Sequence, residues 1–219
     1  MSDAARENRP VWLEESWQTL RKCQKHLSDG DFLDQFLPIL QTFRARAPRL
    51  EKYAQRLIEI YDLCGLNILE PASGCDVFPS ILRNQVNCRV IGLEAATTPA
   101  ARYCQIHNLP IITPPDWTTW TDEVFDLVVV TCYMTSPTFS DWGREMAAHF
   151  HRSALYQIER GAELVLFDAR YIETLINVTR AEFHPIDWRH YQGPYGGLAI
   201  FYRAGRPGVR RIEAPPKAP

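Results

Sequence analysis

The chain has 219 residues, 46% hydrophobic and 23% charged, with 26 acidic against 24 basic side chains and an isoelectric point near 6.3. That composition suits one large globular domain with an appendage, and it lacks the basic excess that displaces counterions from a nucleic acid. No apolar run approaches the roughly 20 residues that span a bilayer, and Met1–Asn8 has no apolar signal core, so a cytoplasmic protein with neither nucleic-acid nor membrane partner is expected.

Residues 1–64 read as helical. Leu13, Trp17, Leu20 and Leu27 recur at near-helical intervals, and Ser28-Asp29-Gly30-Asp31 breaks the pattern. Leu33, Phe36, Leu37, Leu40 and Phe43 form a second stripe, with Pro38 as a bend. Leu50, Tyr53, Ala54, Leu57, Ile58 and Tyr61 form a third, which Cys64-Gly65 ends.

From residue 66 the period shortens. Strands are expected at Leu66–Glu70, Arg89–Glu94, Pro110–Thr113, Phe125–Thr131 and Glu163–Asp168. Helices are expected at Val77–Asn87, Thr98–Asn108, Asp141–Glu159 and Tyr171–Val178. The fourth strand, Phe-Asp-Leu-Val-Val-Val-Thr, is apolar enough to be buried on both faces. Two further runs, Arg180–Trp188 and Leu198–Arg203, flank the glycine-rich loop Tyr191–Gly197 and predict a closing hairpin. Residues 206–219 are proline-rich and extended. Five alternating units and a hairpin predict an α/β, Rossmann-like sheet of seven strands, the last antiparallel.

The six cysteines, Cys23, Cys64, Cys75, Cys88, Cys104 and Cys132, are scattered with no Cys-x-x-Cys pair, so neither a disulfide framework nor a zinc site is expected. They read as small buried hydrophobes, with Cys75 the one closest to a ligand turn. His149 and His151 are too close in sequence to share a helix face, and no metal is expected.

Two segments carry chemistry. Leu66-Asn67-Ile68-Leu69-Glu70-Pro71-Ala72-Ser73-Gly74-Cys75-Asp76 is an apolar strand running into an acid and a small-residue turn. Arg89-Val90-Ile91-Gly92-Leu93-Glu94 is a second strand closed by an acid. One βαβ unit with this spacing holds a nucleoside: the small turn lets the backbone approach the ligand, and the second acid accepts from ribose hydroxyls.

These segments, spread over residues 66–203, resemble the class I S-adenosylmethionine (SAM)-dependent methyltransferase superfamily. Its first turn reads acid-x-Gly-x-Gly-x-Gly; here only Gly74 remains, with Ala72 and Asp76 in place of the other two glycines. The resemblance implies a seven-stranded fold of the class I methyltransferase type over 65–205, a helical cap over 1–64, and SAM as cosubstrate or sole substrate. It implies SAM contacts from Glu70, Ala72, Ser73, Gly74 and Asp76, from Glu94 and Ala95, and from Thr131 and Cys132. Asp116 would accept from the adenine amino group, with Trp117 against the ring. Asp76 either binds the amino group of SAM or faces solvent. Tyr133, Tyr191 and Tyr195 are the candidates for the reacting end of the pocket, with Trp12 and Trp17 of the cap beside them. The Asn/Asp-Pro-Pro-aromatic motif of nucleic-acid amino-methylating members is replaced by Thr131-Cys132-Tyr133-Met134.

Three functions follow from the resemblance: a small-molecule methyltransferase, a non-methylating enzyme, or a silent SAM-binding subunit. The non-methylating enzyme would attack the aminocarboxypropyl carbon of SAM and release methylthioadenosine, by cyclisation to azetidine-2-carboxylate or by transfer to an external amine.

Overall fold

A computed structural model describes residues 27–71, 73–94, 96, 98–114, 122–131, 156–167, 186–191, 198–203 and 209. The expected stripe from Leu13 to Leu20, most of the helix Asp141–Glu159, the helix Tyr171–Val178 and the tail apart from Val209 lie outside the described residues.

The Ser-Asp-Gly-Asp segment expected as a break starts a helix instead. In α1 (Asp29–Arg44), the Ser28 hydroxyl accepts from the Asp31 amide at 3.2 Å and donates to the Asp31 carboxylate at 2.6 Å. That reciprocal bond caps the first turn. The helix runs through Pro38. In α2 (Ala47–Ile60), Pro48 sits in the first turn, where an amide donor has no helical partner to lose. Its stripe Leu50, Tyr53, Ala54, Leu57 and Ile60 is buried.

The alternating region gives β1 (Asn67–Pro71), α3 (Val77–Gln85), β2 (Arg89–Leu93), α4 (Pro99–Ile106), β3 (Ile111–Ile112), β4 (Leu127–Val130), β5 (Glu163–Leu166), β6 (Ile186–Tyr191) and β7 (Leu198–Arg203). They form one sheet in the order β3-β2-β1-β4-β5-β7-β6. The first five strands pair in parallel, and β7 runs antiparallel to both neighbours. The order reverses between β1 and β4, where an open parallel sheet leaves a crevice at its carboxyl edge.

Both faces of the sheet are covered, which is why its strands are apolar in runs rather than in alternation. Ile68, Val90, Leu127, Val129, Val165 and Ile200 pack with α2 and with Phe78 and Leu82 of α3. Leu69, Ile91, Val128, Val130, Leu164 and Phe201 pack on the other face with Phe125 and Ile158. Thus α2 is a layer of the sheet's own core, and packing does not break at residue 64. By contrast, α1 lies against α4 and the first turn: Phe32, Phe36 and Leu40 cluster with Cys75 and Ala100. Phe32 and Phe36 stack at 5.3 Å, and the Arg102 guanidinium lies 4.5 Å over Phe32 while donating to the Leu27 carbonyl at 2.7 Å.

At the opposite edge of the sheet, the buried Glu163 accepts from the Tyr61 hydroxyl at 2.6 Å and from the Val209 amide at 3.2 Å. The chain after β7 is therefore anchored beneath the sheet at Val209, a point at which the sequence suggested only an extended tail. No described helix is long and apolar enough to cross a membrane.

The first strand of the hairpin ends later than expected. β6 spans Ile186–Tyr191, three residues beyond the expected end at Trp188, while 180–185 lie outside the described residues; Tyr191 pairs with Leu198 as the last rung of the ladder. Six residues thus separate the two strands in sequence, and Tyr191 belongs to a strand rather than to the expected loop.

Candidate functional site

The first turn is built by two strands ending side by side. Glu70 pairs with Gly92 and Pro71 with Leu93 in the β1–β2 ladder. The chain then folds over β2, with the Ser73 amide donating to the Leu93 carbonyl at 3.3 Å. Gly92 permits this approach: a Cβ there would lie 2.9 Å from the Ser73 Cβ, and closer still to its hydroxyl oxygen. Gly74 has φ 63° and Asp76 φ 61°, so the turn passes twice through the left-handed region. Glycine adopts that region freely, and aspartate more readily than most side chains.

Four polar side chains converge on this turn. Glu70 is 2% exposed and accepts from the Thr131 hydroxyl at 2.5 Å, a bond across the β1–β4 crevice. Glu94 is 5% exposed and accepts from the Gly74 amide at 3.0 Å, so the end of β2 grips the turn after β1. Asp76 is 2% exposed and accepts from the Ser80 hydroxyl at 2.9 Å and from Arg83, with which it forms an ion pair. Arg83 also donates to the Val90 carbonyl of β2 at 2.9 Å. Among the described residues of this turn, three buried oxygens have no partner: Glu70 Oε2, Asp76 Oδ1 and Ser73 Oγ.

The electrostatics follow from this crowding of acids. Burial holds the Glu70 carboxyl well above the ordinary carboxylate range; the Thr131 hydrogen bond opposes this in part, and Asp76 and Glu94 each add a smaller upward push. Burial also raises the Cys75 thiol, and it pushes Cys104, whose Sγ lies 3.5 Å from the Gly74 carbonyl, up to about 12. These thiols are packing groups, not nucleophiles. Among the described residues no three His, Cys, Asp or Glu side chains are grouped to hold a metal ion. The turn is a concentrated acidic site with unused acceptors, suited to an organic cation bearing hydrogen-bond donors.

Of the residues singled out in the sequence, Glu70, Ser73, Gly74, Asp76, Glu94 and Thr131 come together here. Asp76 does not face solvent; it is buried and tied to Arg83. Tyr191 ends β6, four strands from β1, or roughly 19 Å at the usual strand spacing of about 4.8 Å. Ala72, Ala95, Asp116, Trp117, Cys132, Tyr133 and Tyr195 lie outside the described residues, as do Trp12 and Trp17. The backbone nonetheless ties the β3 end to the site: the Glu94 amide donates to the Ile112 carbonyl at 3.1 Å and the Ala96 amide to the Pro114 carbonyl at 2.7 Å. Arg83 was not anticipated, although Asp76, Ser80 and Arg83 stand at i, i+4 and i+7, which is one helix face.

No protein-family profile and no curated protein matches the sequence. Solved structures do match in fold. A Methanococcus maripaludis protein described as a candidate SAM-dependent methyltransferase aligns over 95% of this chain and all of its own, with a TM-score of 0.57 and 14% identity. A candidate O-methyltransferase from Nostoc punctiforme aligns over 87% of this chain and 69% of its own, at 0.53 and 11%. The glycopeptide N-methyltransferase MtfA in complex with SAM aligns over 72% of this chain and 93% of its own, at 0.51 and 11%. Strand order, the antiparallel β7 and these alignments agree: the chain has the fold of the class I SAM-dependent methyltransferases.

Proposed function

We propose that this protein binds SAM at the β1–β2 edge and transfers its methyl group to a small molecule. The observation that carries this is the set of buried acids Glu70, Asp76 and Glu94 around the first turn, with Glu70 Oε2, Asp76 Oδ1 and Ser73 Oγ unpartnered. An orphaned buried acceptor costs about 1–3 kcal/mol, and a ligand carrying ammonium and hydroxyl donors removes that cost. SAM has both, together with a sulfonium charge that buried carboxylates favour. The fold's likeness to methyltransferases supports the same conclusion.

The residues divide the ligand between them. Glu94, oriented by the Gly74 amide, would accept from the ribose diol, since each carboxylate oxygen has a second lone pair. Ala95 would follow it along the nucleoside. Asp116 and Trp117, just beyond the β3 end, would take the adenine. Glu70 and Thr131, at the crevice between β1 and β4, would flank the sulfur together with Cys132, next in sequence. Tyr133 and Tyr195 would line the acceptor side. Bound SAM supplies an electrophilic methyl group; the protein's part is to align an acceptor with it and exclude water, mostly a positioning effect.

A second use of SAM is favoured by one observation, the buried acid Asp76 within the first turn itself. An acid beside the amino-acid arm suits chemistry in which the arm itself reacts, by cyclisation to azetidine-2-carboxylate with loss of methylthioadenosine. Titration calorimetry with SAM, followed by mass spectrometry of protein incubated with SAM alone and with candidate acceptors, tests both. S-adenosylhomocysteine formed only with an acceptor is the expected result. Methylthioadenosine above its spontaneous background would move the function to the second use. Binding without any product would leave a silent subunit, and absence of SAM binding would end the proposal.

A further inference from the structure

Two free cysteines stand together at the amino edge of the sheet, away from the site. Cys64 lies in the turn before β1, which closes with the Leu66 amide donating to the Leu63 carbonyl at 3.1 Å. Gly65 follows it at φ 77°, the left-handed position that such a turn needs. Cys88 is the residue immediately before β2. Both thiols are free; Cys64 is exposed and Cys88 half-buried, so neither is the fully buried hydrophobe that the sequence suggests.

Backbone pairing brings the two side by side. The Gly65 amide donates to the Asn87 carbonyl at 2.9 Å, and the Arg89 amide to the Leu66 carbonyl at 2.9 Å. The first of these bonds joins the Cys64–Gly65 peptide to the Asn87–Cys88 peptide. In a trans peptide the amide hydrogen lies on the side of the preceding Cα, and the carbonyl oxygen on the side of the following one. Cys64 and Cys88 therefore flank the same hydrogen bond from neighbouring chain segments. Adjacent strands lie about 4.8 Å apart, inside the roughly 4.4–6.8 Å of Cα separation that a disulfide spans. The thiols also sense each other: burial raises the Cys88 thiol, the Arg83 guanidinium opposes this, and Cys64 adds a smaller upward push. The other described cysteines, Cys75 and Cys104, are 6% and 0% exposed, out of reach of an oxidant in solution.

We propose that Cys64 and Cys88 are a redox-active pair that forms a reversible disulfide with a peroxide as oxidant, latching the start of β1 to the start of β2. The exposed Cys64 sulfur attacks one peroxide oxygen, the O–O bond breaks, and Cys64 becomes a sulfenic acid as one water leaves. The Cys88 sulfur then attacks the Cys64 sulfur. The S–O bond breaks, and the departing hydroxide takes the Cys88 proton as a second water. Two thiols are oxidised to one disulfide, and one peroxide is reduced to two waters. The new bond closes the segment from Cys64 to Cys88, which contains the first turn and all of α3. Closing it restricts the unfolded chain more than the folded one, where the two ends are already neighbours. The latch needs no ligand, so it stands or falls apart from the SAM site.

The test is hydrogen peroxide treatment of the reduced full-length protein, alkylation of the remaining thiols, and mass spectrometry of unreduced tryptic peptides. Cleavage at Arg83 puts the two cysteines on different peptides, so the disulfide joins these into one species lighter than their sum by two hydrogens. The expected result is a link that fragmentation places on Cys64, not Cys75, and on Cys88, and that dithiothreitol reverses. Cys64→Ser and Cys88→Ser should each abolish it. The oxidised wild type should unfold at a higher urea midpoint than the reduced one, and peroxide should leave the midpoint of both serine variants unchanged. Oxidation that stops at a Cys64 sulfinic acid, or that links Cys64 to a second molecule while Cys88 stays open to alkylation, would overturn the pair. So would a Cys64 thiol that peroxide leaves untouched. A link that lowers the midpoint or does not move it would overturn the latch.

Discussion

Gly92 and Glu94 together decide whether the first turn can form and what it can hold. Because the space above Gly92 is filled by Ser73, Gly92→Ala must push the turn away from β2. A cost of about 1–3 kcal/mol in stability is expected for this overpacking, read as a lower urea midpoint, with SAM affinity falling as well. Glu94→Ala leaves the backbone alone and removes the acceptor of the Gly74 amide and of the proposed ribose contact. SAM binding should weaken by about 1–3 kcal/mol; unchanged affinity by calorimetry would remove the ribose assignment. Both residues were legible in the sequence, since a glycine two positions before a strand-closing acid is a local pattern. The partnership of Asp76 with Arg83 was not anticipated, although its i, i+7 spacing was available.

At the level of elements, the parallel strands β1, β2, β4 and β5 appear in the sequence as apolar runs near where the structure has them, because both faces are buried and side chains on both faces are mostly apolar. The edge strand β6 runs three residues past its expected end. Its residues alternate in character, and its register is set by pairing with β7 rather than by any local signal. The Tyr61–Glu163 bond joins residues 102 positions apart, so no sequence window contains it. Tyr61→Phe removes the donor while keeping the packing, and leaves part of a buried carboxylate less satisfied. A loss of roughly 1–3 kcal/mol is expected, visible in denaturant unfolding. Because this bond lies at the edge opposite the site, SAM affinity should stay unchanged; a large change there would mean that the two edges are coupled.

For the whole molecule, the buried acids make stability depend on pH. Glu70 has a folded-state pKa raised above its ordinary value of 4.5, by burial first and by Asp76 and Glu94 next. A group raised in this way contributes stability that is complete below its unfolded value and is lost as pH rises toward the folded one. Wild-type stability should therefore decline from about pH 5 upward relative to Glu70→Gln, which cannot ionise; parallel urea midpoints across that range would contradict the assignment. A cation bound beside Glu70 favours its ionised form, so SAM should bind more tightly as pH rises and release a proton. Calorimetric enthalpies in buffers of different ionisation heat measure that release. Saturating SAM should also raise the unfolding free energy, by about 2.7 kcal/mol at one hundred times Kd.

Local chemistry in the sequence determined the alternating α/β architecture, the antiparallel closing strand, the amphipathic α2 and the acids that end β1 and β2. Each of these depends on residues within one element or one βαβ unit, where periodicity and turn composition are sufficient. Only the tertiary structure decided that α2 is a layer of the sheet core, that Val209 is anchored beneath it, and that Asp76 is buried and gripped by Arg83 with one oxygen left open. These outcomes depend on which surfaces meet and which polar atoms lose water when they do, and burial is a property of the assembled chain rather than of any segment of it.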